Sequence, residues 1–397
     1  MSSSTCPAPL RRRRLQLYLS SFLVDAVGHG YGLVVAKYAL SELDASAREL
    51  GFLGATWPLV YAVTCVTTAQ WSDRVGSMPL LRSGLLCLAI VVLPLALCSR
   101  SLVPLYFAAA GVGFSLAFFW PPLERQLSIL SPGKMLWRSL GAFNIYWAAG
   151  AATGTYAALP TYNRFGFATT IGIYIALILL SLLCSTWRGT HEKSPREHVP
   201  LEELAPMKAK LFLHLGWTAN FSAAFTFGGI HYIFIYVGEE YHLGFWVGAI
   251  IFAKELGRFT AFVGLRYYCG WHYSLRWLAI VQCVAGIAVI SSAFFRSPGL
   301  LCLLFFIAGC FIGLAYYSSF FYGLNLRSDE GKRAGIHEGI LASGTFLGPL
   351  LCGTVGDLYP DWPGAVLLLP GAVILICLAE MLVLAAHTSR KFGFRLA

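Results

Sequence analysis

Charge is nearly absent from about a dozen stretches of this chain, and charged residues gather in the short gaps between them. Each stretch runs about 20 residues, which at roughly 1.5 Å per residue crosses a hydrocarbon layer of about 30 Å. The pattern predicts helices over 15–39, 49–70, 79–98, 103–124, 138–159 and 167–187, then over 209–237, 243–264, 275–295, 299–324, 335–356 and 364–386. Inside lipid a segment must satisfy its own backbone hydrogen bonds, so such stretches form helices. The expected fold is an all-α membrane protein with twelve transmembrane helices and both termini on one side.

One polar connector interrupts the series. Residues 188–208 hold Glu192, Lys193, Arg196, Glu197, Glu202 and Glu203 among Pro195, Pro200 and Pro206, so the chain divides into a six-helix bundle at 1–187, a linker at 188–208 and a second bundle at 209–397. The halves look related. A shift of 194 positions lays Gly54 on Gly248, Gly76 on Gly270, Gly141 on Gly335, Gly150 on Gly344 and Gly154 on Gly348. The last two pairs share one spacing, and small residues four apart let membrane helices approach closely. Such duplicated halves place a solute site near the bilayer midplane between them.

Composition sharpens this picture. Of the residues, 57% are hydrophobic and 12% charged, 40 are glycine, and the mean hydropathy is +0.67. With both termini inside, 22 of the 29 lysines and arginines fall in cytoplasmic segments, which fixes the orientation by the positive-inside rule. The net charge of +10 then follows from topology, with no nucleic-acid partner. Arg11 to Arg14 precede an apolar run that is too long for a secretory h-region and carries Asp25, His29 and Lys37, so an uncleaved first helix is expected. The 11 cysteines are scattered, with no metal-ligand spacing. Leu341 stands where a zinc-protease motif starting at His337-Glu338 needs its second histidine, and no nucleotide-binding glycine-lysine loop occurs. No enzyme, cofactor or metal is expected.

Between the second and third stretches the chain reads Ala69-Gln70-Trp71-Ser72-Asp73-Arg74-Val75-Gly76. This resembles the loop signature of the major facilitator superfamily, matched at Asp73, Arg74 and Gly76. Ala69 replaces its first glycine and Ser77-Met78 its basic pair; in the second half Gly270 survives while Tyr267 and Tyr268 replace the acid and base. The resemblance implies two pseudo-symmetric six-helix bundles around a central cavity, with helices 1, 4, 7 and 10 innermost and 3, 6, 9 and 12 outermost. Physically, the Asp73-Arg74 pair beside Gly76 can cross-link neighbouring helix ends and favour one state of a rocking bundle. Glu124-Arg125 and His337-Glu338 lie near the cytoplasmic ends of the fourth and eleventh helices, either as parts of such a gate or as solvated helix ends. Gly344 to Gly353, with Pro349, is similar to a glycine-proline signature that the superfamily's antiporters carry in helix 5. It lies here in helix 11, so Gly150, Gly154, Gly344, Gly348 and Pro349 are read as packing positions with a proline bend, without implying export.

Ionisable residues within the stretches cost roughly 2.5–3.5 kcal/mol each on insertion scales and so mark a cavity or a partner. Asp25 and His29 lie near the middle of the first helix at i, i+4, where they can share a proton. In the eighth helix Glu255 and Arg258 are placed to pair, leaving Lys254 to reach Asp25 or to meet an anionic substrate. Asn144 and Asn220 offer directional hydrogen bonds, and Trp120, Trp147, Trp217, Tyr316 and Tyr317 offer aromatic walls. His231 is expected at the interface near the outer end of the seventh helix. Glu380, on a helix expected to be peripheral, has no evident role.

The function expected is secondary active transport of a small solute by alternating access, coupled to protons at Asp25 and His29. Symport and antiport both remain open, as do a zwitterion, an organic anion or an amphipathic drug as substrate. The alternative is a receptor or lipid-handling protein on the same fold. The partners expected are the solute, protons and the bilayer of the cell membrane, with the chain acting as a monomer.

Overall fold

The computed structural model describes residues 8–97, 101–131, 135–187, 206–325 and 330–392, and the regular structure among them is entirely helical. The helices are α1 (Ala8–Glu42), α2 (Ala47–Val75), α3 (Ser77–Leu97), α4 (Leu102–Ala117), α5 (Trp120–Ile129), α6 (Met135–Cys184), α7 (Pro206–Glu240), α8 (Trp246–Tyr267), α9 (Leu275–Ser292), α10 (Pro298–Asn325), α11 (Glu330–Leu358) and α12 (Leu368–Phe392). Most of the expected linker lies outside the described residues, and its last residues, Pro206 to Lys208, already belong to α7.

Among the described residues, nine helical segments are long and apolar enough to cross a bilayer. One of these, Arg138–Cys184, has 47 residues and so suffices for two crossings at about 1.5 Å per residue. Outside that set are α2 and α8, the latter because Lys254, Glu255, Arg258 and Arg266 interrupt it. The arrangement accommodates the twelve crossings expected.

Two crossings depart from simple rods. The fourth stretch breaks at Phe118–Phe119 into α4 and α5 and continues to Ile129, past the expected limit at 124. Pro121 and Pro122 cause the break, since each lacks an N–H and its ring clashes with the carbonyl four residues back. The fifth and sixth stretches form α6, which turns at Gly166 with φ 76° and ψ 174°, a backbone region open only to glycine. The turn reverses the chain. Gly150 and Gly154 run parallel to α1 beside Phe22 and Ala26, whereas Phe167, Tyr174 and Ser181 meet Tyr38, Gly30 and Ser20 in the opposite order.

The same joint recurs in both halves of the chain. A Cβ on Gly154 would overlap the Ala26 carbonyl oxygen, and one on Gly348 would overlap that of Phe225; Gly150 and Gly344 do likewise against Phe22 and Phe221. Thus α1 packs on α6 as α7 packs on α11, with backbones touching where only glycine permits it.

The halves meet around a central cavity lined from α1, α2, α4, α5, α7, α8, α10, α11 and the first arm of α6. The helices α3, α9, α12 and the second arm of α6 contribute no lining residue among those described, so they form the outer layer. The exposed Glu380 stands on that layer, on α12. Opposite the chain ends the halves are latched by ion pairs. Lys37 Nζ lies 2.7 Å from Glu239 Oε1, and Arg48 lies 3.7 Å from Asp357 Oδ2 while its backbone N–H donates to Oδ1 at 3.1 Å. Gly51 and Gly353 also bring α2 and α11 into close contact on that side.

Candidate functional site

The cavity holds about 1440 Å3 of space between its walls, its open mouth included. Midway along it, α1 and α8 bring a charged cluster together from opposite halves. Lys254 and Glu255 are each about 1% exposed, Arg258 4% and Asp25 7%. Lys254 Nζ lies 2.9 Å from Glu255 Oε1 and Arg258 Nη2 lies 2.7 Å from Glu255 Oε2. These are short ion pairs rather than aligned hydrogen bonds. Aromatic rings supply the remaining walls. Lys254 Nζ sits 4.3 Å from the Phe227 ring centre, and the Arg258 guanidinium lies 4.6 Å from that of Trp147 and 5.5 Å from that of Phe227.

The cluster departs from three expectations. Lys254 does not reach across to Asp25, because Glu255 stands between two cations and neutralises both in part; it takes its partner from its own helix. Nor do Lys254 and Glu255 line the cavity. Arg258 does, one turn further along α8. Nor do the Asp25 and His29 side chains share a proton through a direct hydrogen bond. His29 Nδ1 is 3.9 Å from Asp25 Oδ1, too far for a hydrogen bond, and instead meets the Asp25 backbone carbonyl at 3.2 Å.

The other face of His29 meets Arg258 Nη2 at 3.2 Å. A guanidinium only donates, so Nε2 accepts, Nδ1 carries the hydrogen and donates to the Asp25 carbonyl, and the imidazole is neutral in this arrangement. Asp25 Oδ2 and Arg258 Nε are buried without hydrogen-bond partners. His231 is not interfacial. It is 3% exposed, lines the cavity and packs edge-on to His29 with ring centres 5.4 Å apart. Its distance from the middle of a 35-residue helix hid it in the sequence, since α7 is longer than the bilayer requires.

Of the aromatic and amide candidates, Trp120, Trp147, Tyr316 and Asn220 line the cavity. Asn220 is about 1% exposed, with both amide heteroatoms unpartnered. Asn144, Trp217 and Tyr317 lie outside the lining. Asn144 is buried within α6, Trp217 turns toward His214, and Tyr317 packs on Phe262 and Trp271. One residue's difference around a helix turns Tyr317 about 100° away from Tyr316.

Toward the chain-end face, Glu124 and Glu338 line the cavity from opposite halves. Glu338 accepts from the Tyr61 hydroxyl at 3.5 Å. Arg125 is half-buried and not part of the lining. Of the loop signature, Gly76 has φ 94°, Arg74 is exposed, and the side chain of Asp73 lies outside the described residues. Pro349 packs on Gly51, Gly54 and Gly228, where α11 meets both α2 and α7.

Long apolar helices around a charged central cavity define a multi-pass membrane protein of the transporter class. The sequence profile of the Major Facilitator Superfamily matches residues 17–328, and the chain belongs to that family, whose transporters bind small-molecule solutes. No curated relative matches the sequence. Among solved structures, a bacterial homologue of the human lysosomal transporter Spinster, inward-facing and unoccupied, is similar with a TM-score of 0.68 at 17% identity, over 99% of this chain and 100% of that one. The human organic anion transporter MFSD10 (TETRAN) gives 0.69 at 14% identity, over 94% and 99%. The nucleoside transporter NupG gives 0.67 at 14% identity, over 96% and 100%.

Proposed function

We propose that this protein is a proton-coupled secondary transporter that moves a small solute by alternating access, with both termini in the cytoplasm and the cell membrane as its site. The observation that carries the coupling is the contact between His29 on α1 and Arg258 on α8, which joins the two halves inside the cavity at 3.2 Å. It forms only while His29 is neutral. A proton on Nε2 would set two cationic donors against each other, and Arg258 would fall back on Glu255 alone.

Charge balance supports the same coupling. Asp25 and Glu255 offset Lys254 and Arg258, so the cluster is neutral when both carboxylates are ionised. A proton on Asp25, whose Oδ2 has no partner, leaves one uncompensated positive charge in a low-dielectric setting. That cost is relieved when the halves move apart and water enters, so protonation changes which arrangement of the bundle is favoured. The Lys37–Glu239 and Arg48–Asp357 latches then hold one of those arrangements, closed on the side away from the chain ends. The structural neighbours bear names with different solutes, an organic anion in one and a nucleoside in another, so likeness of fold assigns no substrate here.

The test is solute-dependent proton movement in proteoliposomes across a metabolite panel. Asp25→Asn is expected to abolish uptake driven by a pH gradient while leaving solute exchange between equal pools. Full gradient-driven uptake with unaltered pH dependence in that variant would overturn the coupling, and absence of any solute movement by the native chain would overturn transport itself.

A further inference from the structure

From the charge distribution along the cavity we infer the substrate class, building on the transport reading above: the solute carries a cationic group, held between Glu124 and Glu338. While Asp25 and Glu255 are both ionised, the central cluster has no net charge to offer an anion. Arg258 is already held by Glu255 at 2.7 Å and by His29, and Lys254 is held by Glu255 at 2.9 Å, behind the lining. The imbalance lies toward the chain-end face. There Glu124 and Glu338 reach into the same space from α5 and α11. No described lysine or arginine forms an ion pair with either.

Two like charges facing one partly desolvated space repel, and a cation placed between them removes that cost. The neighbours suit an organic cation rather than a bare ion. Trp120, Tyr61 and Tyr316 line the same space, and aromatic rings attract ammonium groups. A separate observation points to a ligand. Asn220 lines the cavity with its amide almost fully buried and neither heteroatom partnered, and a buried amide left unpaired is costly unless a ligand completes it. Glu338 belongs to α11, with Asn220 on α7, and Glu124 belongs to the other half. A cation bridging the carboxylates therefore draws the halves together around the solute.

The test is equilibrium binding to the purified full chain of tetraphenylphosphonium and of tetraphenylborate, which share size and shape and differ in the sign of charge. Tetraphenylphosphonium is expected to bind at least about tenfold tighter than tetraphenylborate. Glu124→Gln and Glu338→Gln should each weaken it about tenfold, whereas Glu338→Asp, which keeps the charge and controls for folding, should stay within about threefold of the native chain. Equal binding of the two probes, no binding of the cation, or unchanged cation affinity in both glutamine variants, as a proton shared by the carboxylates would give, overturns the inference. Binding needs no gradient, so this outcome separates from that of the transport test. A chain that binds the cation but moves no solute refutes transport alone, and one that moves solute but ignores the cation refutes only this assignment.

Discussion

The helices α2 and α8 are held by the same joint and carry opposite chemistry. Gly113 on α4 presses against the backbone carbonyl of Trp57 on α2, and Gly309 on α10 presses against that of Lys254 on α8. Aligned on that joint, Trp57, Pro58 and Tyr61 correspond to Lys254, Glu255 and Arg258. One half places a tryptophan, a proline and a phenol where the other places a buried ion triad. The backbone contact tolerates no change because two main chains touch there, while the side chains turned away from it are free to diverge. The repeated scaffold thus sets position, and the departures from repetition set chemistry.

Glu255→Gln should break this comparison most visibly. It leaves Lys254 and Arg258 buried without their shared counter-charge, a situation that typically costs about 3–5 kcal/mol. Its counterpart test in the first half, Tyr61→Phe, removes one 3.5 Å hydrogen bond to Glu338 and should cost about 0.5–1.5 kcal/mol. Thermal unfolding of the two purified variants checks the ranking. Equal losses would mean that the triad is solvated and that the two helices differ less than their residues suggest.

Replacing the joint glycines tests the part held in common. Gly154→Leu and Gly348→Leu each force a side chain into a neighbouring carbonyl, and overpacking of this kind typically costs about 1–3 kcal/mol. The two losses should match within about 0.5 kcal/mol, since both joints press glycine on a helix backbone in the same way. A tolerated substitution at one joint and a collapse at the other would show that the repeat in packing is nominal.

How much of this was legible beforehand follows the same division. Apolar length and glycine spacing are local in the sequence, so the helices and the four packing glycines, Gly150, Gly154, Gly344 and Gly348, stood out. The loop signature named the family from three residues. Facing direction and partner choice are not local. That Arg258 rather than Lys254 faces the cavity depends on the rotation of α8 against its neighbours, and His231 lies deeper than the interface its place along the seventh helix predicts, because helix length alone does not fix depth. The His29 contact joins positions 229 apart, and no spacing rule reaches that far. The break before α5 was signalled by Pro121-Pro122, although its consequence, Glu124 delivered into the cavity on a separate short helix, required the fold.

The smallest effect concerns the latches that hold the two halves together. Lys37–Glu239 is a partly exposed pair, with Glu239 at 40% exposure, so it contributes at most about 0.2–1 kcal/mol. That energy still matters to an equilibrium between two arrangements, since 1 kcal/mol changes their ratio about fivefold. Lys37→Ala should therefore raise the rate at which a cysteine placed in the cavity by Val35→Cys reacts with a membrane-impermeant maleimide from the side away from the chain ends. The increase should be about twofold to fivefold, and high salt should mimic it in the chain that keeps Lys37, because screening weakens an exposed pair. Glu239→Lys, which turns attraction into repulsion, should exceed Lys37→Ala in the same assay. If none of the three alters labelling, the close approach of α2 and α11 at Gly51 and Gly353 closes that face unaided.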